Sequence, residues 1–308
     1  MIRYIVRRLL QGVLTFFGAT FVVYALMFAN QNDPLQALAG ERPISDNVRQ
    51  ALTERYHLNE PFIVQYGYYM RGLFQGDFGI SLTGRPVADL LDRAWPVTAQ
   101  LAVMAVVFAA LIGVVAGVVA GIRRAGIFDN ITLVITLVLI SIPIVVLAPV
   151  LQLFLGVQLS LFPPTAGSSP SFYALMLPAI VLGAGSLATY SRLTRTSVVE
   201  NLRADYVRTA KAKGLTRNRV IGVHVLRNSL IPVVTYIGVD LGSLMAGAII
   251  TEGVFNVPGV GSALFRGITT EDGPLVVGFV SVLVIVFILA NLIVDLLYAV
   301  LDPRIRYE

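Results

Sequence analysis

Six apolar stretches, at residues 9–29, 97–121, 131–155, 172–190, 231–250 and 275–301, dominate this sequence. A helix rises about 1.5 Å per residue, so each is long enough to cross a hydrocarbon layer roughly 30 Å thick. Lipid offers no partner to an open backbone N–H or C=O, so each stretch is expected to be a helix. The expected fold class is therefore an all-α polytopic membrane protein with six transmembrane helices. Composition agrees: 56% of the residues are hydrophobic and 13% charged, against about 25% charged in soluble domains. The absence of cysteine rules out disulfides and thiolate metal sites. Arg3, Arg7 and Arg8 precede the first stretch as in a signal peptide, but that stretch exceeds the usual core of about 7–15 residues. A retained signal-anchor is expected.

Charge orients the chain. Sixteen of the 23 lysines and arginines lie on the side that holds both ends, and seven lie on the other. Six of those seven fall in one long segment, whose crossing depends little on charge. Both termini are thus expected to be cytoplasmic, and the basic balance reflects topology rather than nucleic-acid binding. The chain reads as a single transmembrane domain over 1–308. It carries an extracytoplasmic insertion at 30–96 and a cytoplasmic loop at 192–229.

The insertion reads as short helices. Ser45 is placed to cap one that runs to about His57 and aligns Val48, Leu52 and Tyr56. Pro61 is placed to start a second, with Phe62, Tyr66, Tyr69 and Leu73 forming a stripe that packs against the membrane face. Gly76-Asp77-Phe78-Gly79 breaks the chain, and Pro86 opens a further short helix bearing Val87, Leu90 and Leu91. Pro143, Pro149 and Pro178 are expected to kink spans 3 and 4.

The cytoplasmic loop is basic and rich in small residues. Ser197 or Asn201 is placed to cap a helix reaching Lys213, which Gly214 terminates. Thr216 is placed to cap a second helix, and Pro232 enters span 5. The two helices would form a hairpin along the membrane surface. Ala204, Ala210 and Ala212 leave a narrow ridge between long charged side chains, a shape suited to a protein cleft. Lipid contact would favour large apolar residues on one face.

Sites for chemistry are missing from the sequence. It has no phosphate-binding loop of the G-x-x-x-x-G-K-[ST] type, no H-E-x-x-H and no nucleophile elbow. His57 and His224 fall on opposite sides of the expected bilayer. A non-catalytic membrane protein is expected. Within the spans, Asp240 lies near mid-helix with Tyr236 and Ser243 on the same helix. These three are candidates to line a pathway, because intramembrane acids mark such routes. Asp295 lies near the cytoplasmic end of the last span, one turn after Asn291. Glu252, Phe255, Pro258 and Gly259 form a turn after span 5, a candidate gate or docking point. A proton-driven secondary transporter with Asp240 or Asp295 as relay is the alternative, although it leaves the basic loop unexplained.

Four segments carry a specific resemblance. They are Gly76-Asp77-Phe78-Gly79-Ile80-Ser81, Asp205-Tyr206-Val207-Arg208-Thr209-Ala210-Lys211-Ala212-Lys213-Gly214-Leu215, Glu252-Gly253-Val254-Phe255-Asn256-Val257-Pro258-Gly259-Val260-Gly261, and the stretch from Asp295 to Tyr307. In order and over nearly the full length, the chain resembles permease subunits of the dipeptide/oligopeptide/nickel branch of ATP-binding cassette importers. The wider class carries Glu-Ala-Ala followed by Gly in the cytoplasmic loop. Here Arg208-Thr209-Ala210 and Gly214 stand there, so only Ala210 and Gly214 match. The resemblance implies a type I importer permease fold in a bacterial cytoplasmic membrane. It also implies a second homologous permease, two ATPase subunits that bind ATP and Mg, and an extracytoplasmic substrate-binding protein. No cofactor would be bound by this chain, and the transported solute would be a di- or oligopeptide. The loop would be the coupling helix, with Asp205, Arg208, Thr209, Lys211 and Lys213 as polar groups at the ATPase groove and Ala210 and Gly214 setting close approach.

Overall fold

The computed structural model describes residues 2–28, 50, 53–54, 57 and 59–301, without the side chains of residues 2–5, 246–247 and 293–301. The helix expected from Ser45, the side chain of Asp295 and the closing motif from Asp302 lie outside the described residues. Among the described residues the chain is helical, with one isolated bridge between Ile80 and Pro86. Four helices are long and apolar enough to cross a membrane: Val6–Phe28, Val87–Ile122, Phe172–Leu202 and Gly273–Leu292. Two bent pairs bring the number to six. Ile127–Ser141 and Ile144–Gln158 meet at 105°, and Arg217–Ser229 and Ile231–Met245 meet at 41°.

The described chain divides into two compact units. One lies within Met1–Thr98 and Pro258–Ile293. Helix α1 (Ile2–Phe28) carries Phe21, Tyr24 and Phe28, and helix α2 (Phe62–Phe74) brings Phe62, Tyr66 and Tyr69 against them. The aromatic stripe thus packs on the chain's own first span rather than on the membrane face. Its hydroxyls find partners, as buried phenols must. Tyr66 Oη lies 2.8 Å from Thr20 Oγ1, and Tyr69 donates to the carbonyl of Val277 at 3.2 Å. Burial pushes the Tyr69 phenol well above its ordinary range, which keeps it a donor.

After α2 the chain turns at Gly76 (φ +82°) and Gly79 (φ +89°), conformations that favour glycine. Asp77 Oδ1 accepts the Gly79 N–H across the turn at 2.9 Å. The short helix expected at Pro86 is not separate. It continues through Pro96 as the first turns of the 36-residue helix α3 (Val87–Ile122). Further along, Asp272 caps helix α12 (Gly273–Leu301) by accepting the Leu275 N–H at 3.1 Å. The same carboxylate accepts Ser81 Oγ at 2.5 Å and the Leu82 N–H at 2.9 Å. One buried acid therefore ties the glycine turn to the last span. Asp272→Ala is expected to lower stability by about 3 kcal/mol, since buried hydrogen bonds to charged groups contribute about 1.5–3 kcal/mol each. The check is the thermal midpoint of the detergent-solubilised protein, which Asp272→Asn should partly restore.

The second unit lies within Ala99–Val257. Its centre is helix α6 (Phe172–Leu202), which buries Leu175, Leu177, Val181, Tyr190 and Val198. The rest of α3 runs parallel to it at close range. Gly113, Gly117 and Gly121 face Leu187–Tyr190, Ser191–Thr194 and Val198, and Gly183 of α6 faces Ala105. Glycines four apart form one stripe, which lets two backbones approach in a membrane. Helix α6 passes through Ser197 and Asn201, so neither caps a new helix. No glycine or proline interrupts it there, and buried Ser197 and Val198 keep that turn packed.

Span 3 departs most from a straight rod. Helix α4 (Ile127–Ser141) ends at Ile142, in an extended conformation, and α5 (Ile144–Gln158) starts after Pro143. The proline ring disfavours a helical residue before it, which accounts for the break. Pro149 and Pro178 remain inside their helices.

Candidate functional site

Two places in the second unit bring the candidate residues together. The first is the basic loop. Helix α7 (Asp205–Ala212) is capped at Ala204, whose extended backbone separates it from α6. Its end is the expected one: Gly214 has φ +75°, and its N–H donates to Lys211 O at 2.9 Å. Along α7, Val207 and Ala210 are buried, three residues apart on one face. They join Val198 of α6 and Val220 and Val225 beyond the loop, flanked by Val118 and Ile122 of α3. Ala210 therefore anchors the helix to its own chain, correcting the expectation that it borders a partner. The opposite face exposes Asp205, Tyr206, Arg208, Thr209, Lys211 and Lys213. Arg208 approaches Asp205 at 3.6 Å, both side chains solvated, so the pair contributes little.

Polar bonds add to this anchor. Tyr206 donates its hydroxyl to Asn201 Oδ1, whose Nδ2 donates to Ser197 O at 2.8 Å. Ser229 Oγ donates to that same carbonyl at 3.2 Å. Helix α8 (Arg217–Ser229) contains a π-type turn at Val220–Val225 and leads at 41° into α9 (Ile231–Gly247). The second arm of the expected hairpin is thus joined to span 5 by this modest bend.

The second place is a cavity of about 450 Å³ at the elbow between α4 and α5. Pro143 and Leu147 line the elbow, Ser186 and Thr189 come from α6, and Tyr236 and Asp240 come from α9. The volume falls in the range of small-molecule pockets, about 300–1,000 Å³. Tyr190, fully buried, donates its hydroxyl to Asp240 Oδ2 at 2.7 Å, and its ring meets the Tyr236 ring edge-on at 6.0 Å. Asp240 and Tyr236, one turn apart on α9, both line this cavity. Ser243 is exposed and only returns its hydroxyl to Val239 O at 3.4 Å. It does not line the cavity.

The turn after span 5 differs from expectation. Helix α10 (Ile249–Val254) buries Glu252 completely, and Phe255 and Val257 are buried as well. Asn256 adopts φ +48°, and Phe255 O accepts the Ala166 N–H at 2.8 Å. The side chains of Glu252 and Phe255 point into the protein instead of outward as a docking surface. Pro258 is half-buried, and Gly259 precedes helix α11 (Val260–Thr269), whose first N–H donates to Thr98 Oγ1 at 2.8 Å. Tyr190, the glycine stripe and the Asp129–Arg195 pair described below were missed. Only the stripe has a signature in the sequence, its Gly-x-x-x-Gly spacing.

Comparison with known families decides the class. The family model described as binding-protein-dependent transport system inner membrane component matches residues 113–307. The companion model for the N-terminal part of such components matches residues 1–102. The chain belongs to this permease family. Its helical fold is that of type I ABC importer permeases, multi-pass in the membrane. Relatives of the permease span its whole length. The dipeptide transport system permease protein DppB of Escherichia coli (strain K12) is 38% identical over 338 residues, covering 100% of both chains. DppB of Bacillus subtilis (strain 168) is 36% identical over 99% of this chain and 98% of its own. The glutathione transport system permease protein GsiC of Escherichia coli O1:K1 / APEC is 36% identical over 100% of both.

Proposed function

We propose that the chain is one of two permease subunits in an ATP-driven bacterial importer of short peptides. The observation that carries this is full-length similarity to permeases named for dipeptide transport. The proton-driven alternative has no support from these relatives. The partners would be a second permease, two ATPases that hold ATP and Mg, and an extracytoplasmic binding protein. The basic bias places residues 192–229 and both termini in the cytoplasm and residues 30–96 outside.

The loop has the mechanics that such a machine needs. A lever must be stiff at its base and polar at its tip. Val207 and Ala210 supply the base by packing on the ends of α3 and α6. Arg208, Lys211 and Lys213 supply the tip. When the ATPases close, force on that tip would reach α6 and α9 as rigid-body motion. The cavity at Asp240 lies between those helices and the α4–α5 elbow, where that motion would open or close it.

Loss of the chain should abolish uptake of a labelled dipeptide by whole cells, and the ATPase subunits should co-purify with the chain in mild detergent. Uptake unchanged by its deletion would reject the peptide reading. Gly214→Val is a sharper test of the lever. No atom outside its own neighbourhood lies within 4 Å of a Cβ built there, but its φ of +75° strains a β-branched side chain by about 1–2 kcal/mol. Transport should fall about tenfold with ATP hydrolysis retained, because that energy corresponds to about a tenfold shift in population. Coupled loss of both activities would reject this assignment.

A further inference from the structure

The elbow cavity carries one formal charge. Among its lining residues Asp240 is the sole carboxylate, and none is Lys, Arg or His. Arg192, the next basic residue along α6, does not line it. Most of the remaining wall is aliphatic, so little competes with the field of one acid. The single hydrogen bond that the Asp240 carboxylate makes among the described residues is the one from Tyr190 to Oδ2. A carboxylate accepts about four hydrogen bonds, so acceptor capacity remains for a ligand. Tyr190 is fully buried and cannot swing away freely, which holds the carboxylate in place. The Tyr236 ring, 38% exposed beside it, adds a surface that attracts cations.

We propose that Asp240 receives the ammonium group of a cationic side chain on a passing peptide, so that this subunit adds its own charge selection for cationic over acidic cargo. The proposal rests on the peptide-importer function given above. A cationic side chain would pair with Asp240 directly, whereas an acidic one would meet a like charge in a poorly hydrated cavity. Like-charge juxtaposition suppresses wrong ligands more strongly than a matched pair tightens right ones.

The test uses the complete importer, permease pair with ATPases and saturating binding protein, in vesicles of phosphatidylglycerol alone. That lipid removes the ethanolamine headgroup, the other source of an ammonium in a membrane. Uptake of Ala-Lys is compared with that of Ala-Glu, each normalised to its occupancy of the binding protein. In Asp240→Asn the ratio is expected to fall by about tenfold, the size of one short-range charge contact. Asp240→Glu should keep the preference, Asp240→Lys should invert it, and Tyr190→Phe should weaken it by loosening the carboxylate. Co-purification of the ATPase subunits checks that each variant assembles. A ratio unchanged in assembled Asp240→Asn overturns the proposal. So does a preference that appears only when phosphatidylethanolamine is supplied. Failure of the wild-type complex to take up either peptide overturns the peptide function itself, and this proposal with it.

Discussion

Replacing Gly117 with leucine is expected to abolish accumulation of the folded permease. A Cβ at that position would lie 2.4 Å from Ser191 O and 2.7 Å from Thr194 Cβ. The first obstacle is backbone, so no rotamer change relieves it, and α3 and α6 must move apart along the stripe. Overpacking alone costs about 1–3 kcal/mol, and separation also forfeits the contacts at Gly113 and Gly121. Even Gly117→Ala should destabilise, against the helix propensity of alanine, which favours it by about 1 kcal/mol over glycine. Gly18, with no neighbour within 4 Å, provides the contrast: Gly18→Ala should be neutral or stabilising. Membrane levels and size-exclusion profiles of the three variants measure this. Normal accumulation of the leucine variant would mean that the two helices do not meet at this stripe.

Removing Asp129 is expected to cost about 3 kcal/mol, the lower end of the range for breaking a buried ion pair. Arg195 of α6 reaches it with Nε to Oδ1 at 2.5 Å and a second nitrogen to Oδ2 at 2.8 Å, a bidentate clamp. The Ala125 N–H also donates to Oδ2 at 2.9 Å, from a residue at φ +61°. Asp129 is 1% exposed and Arg195 22%, so solvent reaches the arginine and moderates the loss. The clamp holds the start of α4 to α6, at the end of α4 opposite the elbow. In Asp129→Ala a half-buried guanidinium is left without its partner, whereas Asp129→Leu with Arg195→Met removes both charges. The double variant should recover most of the lost thermal stability. If it is no more stable than Asp129→Ala, the pair is not the source of the cost.

Much of the basic loop is legible from the chain alone, since a glycine at 214, just past the charged run of 205–213, supplies the positive φ that stops a helix and the charged residues need solvent. Which face turned inward was not. Val207 is the one large aliphatic residue of α7, and Ala210 follows it at helical spacing, yet the partners that bury them come from residues 118, 122, 198, 220 and 225. Distances of that kind in sequence carry no local signal. The same holds for the cavity: Asp240 is conspicuous as an acid in an apolar run, while nothing in the local sequence singles out Tyr190, fifty residues away.

The length of the apolar runs and the charge bias therefore determined the membrane class, the number of spans and the position of the exposed basic helix, because each depends on transfer of local segments between water and lipid. Tertiary structure alone decided the inward turn of Glu252 and Phe255, the parallel seating of α3 on α6 and the pairing of Tyr190 with Asp240. In lipid the contacts between helices are set by close packing and rare polar pairs, and those depend on which distant residues meet.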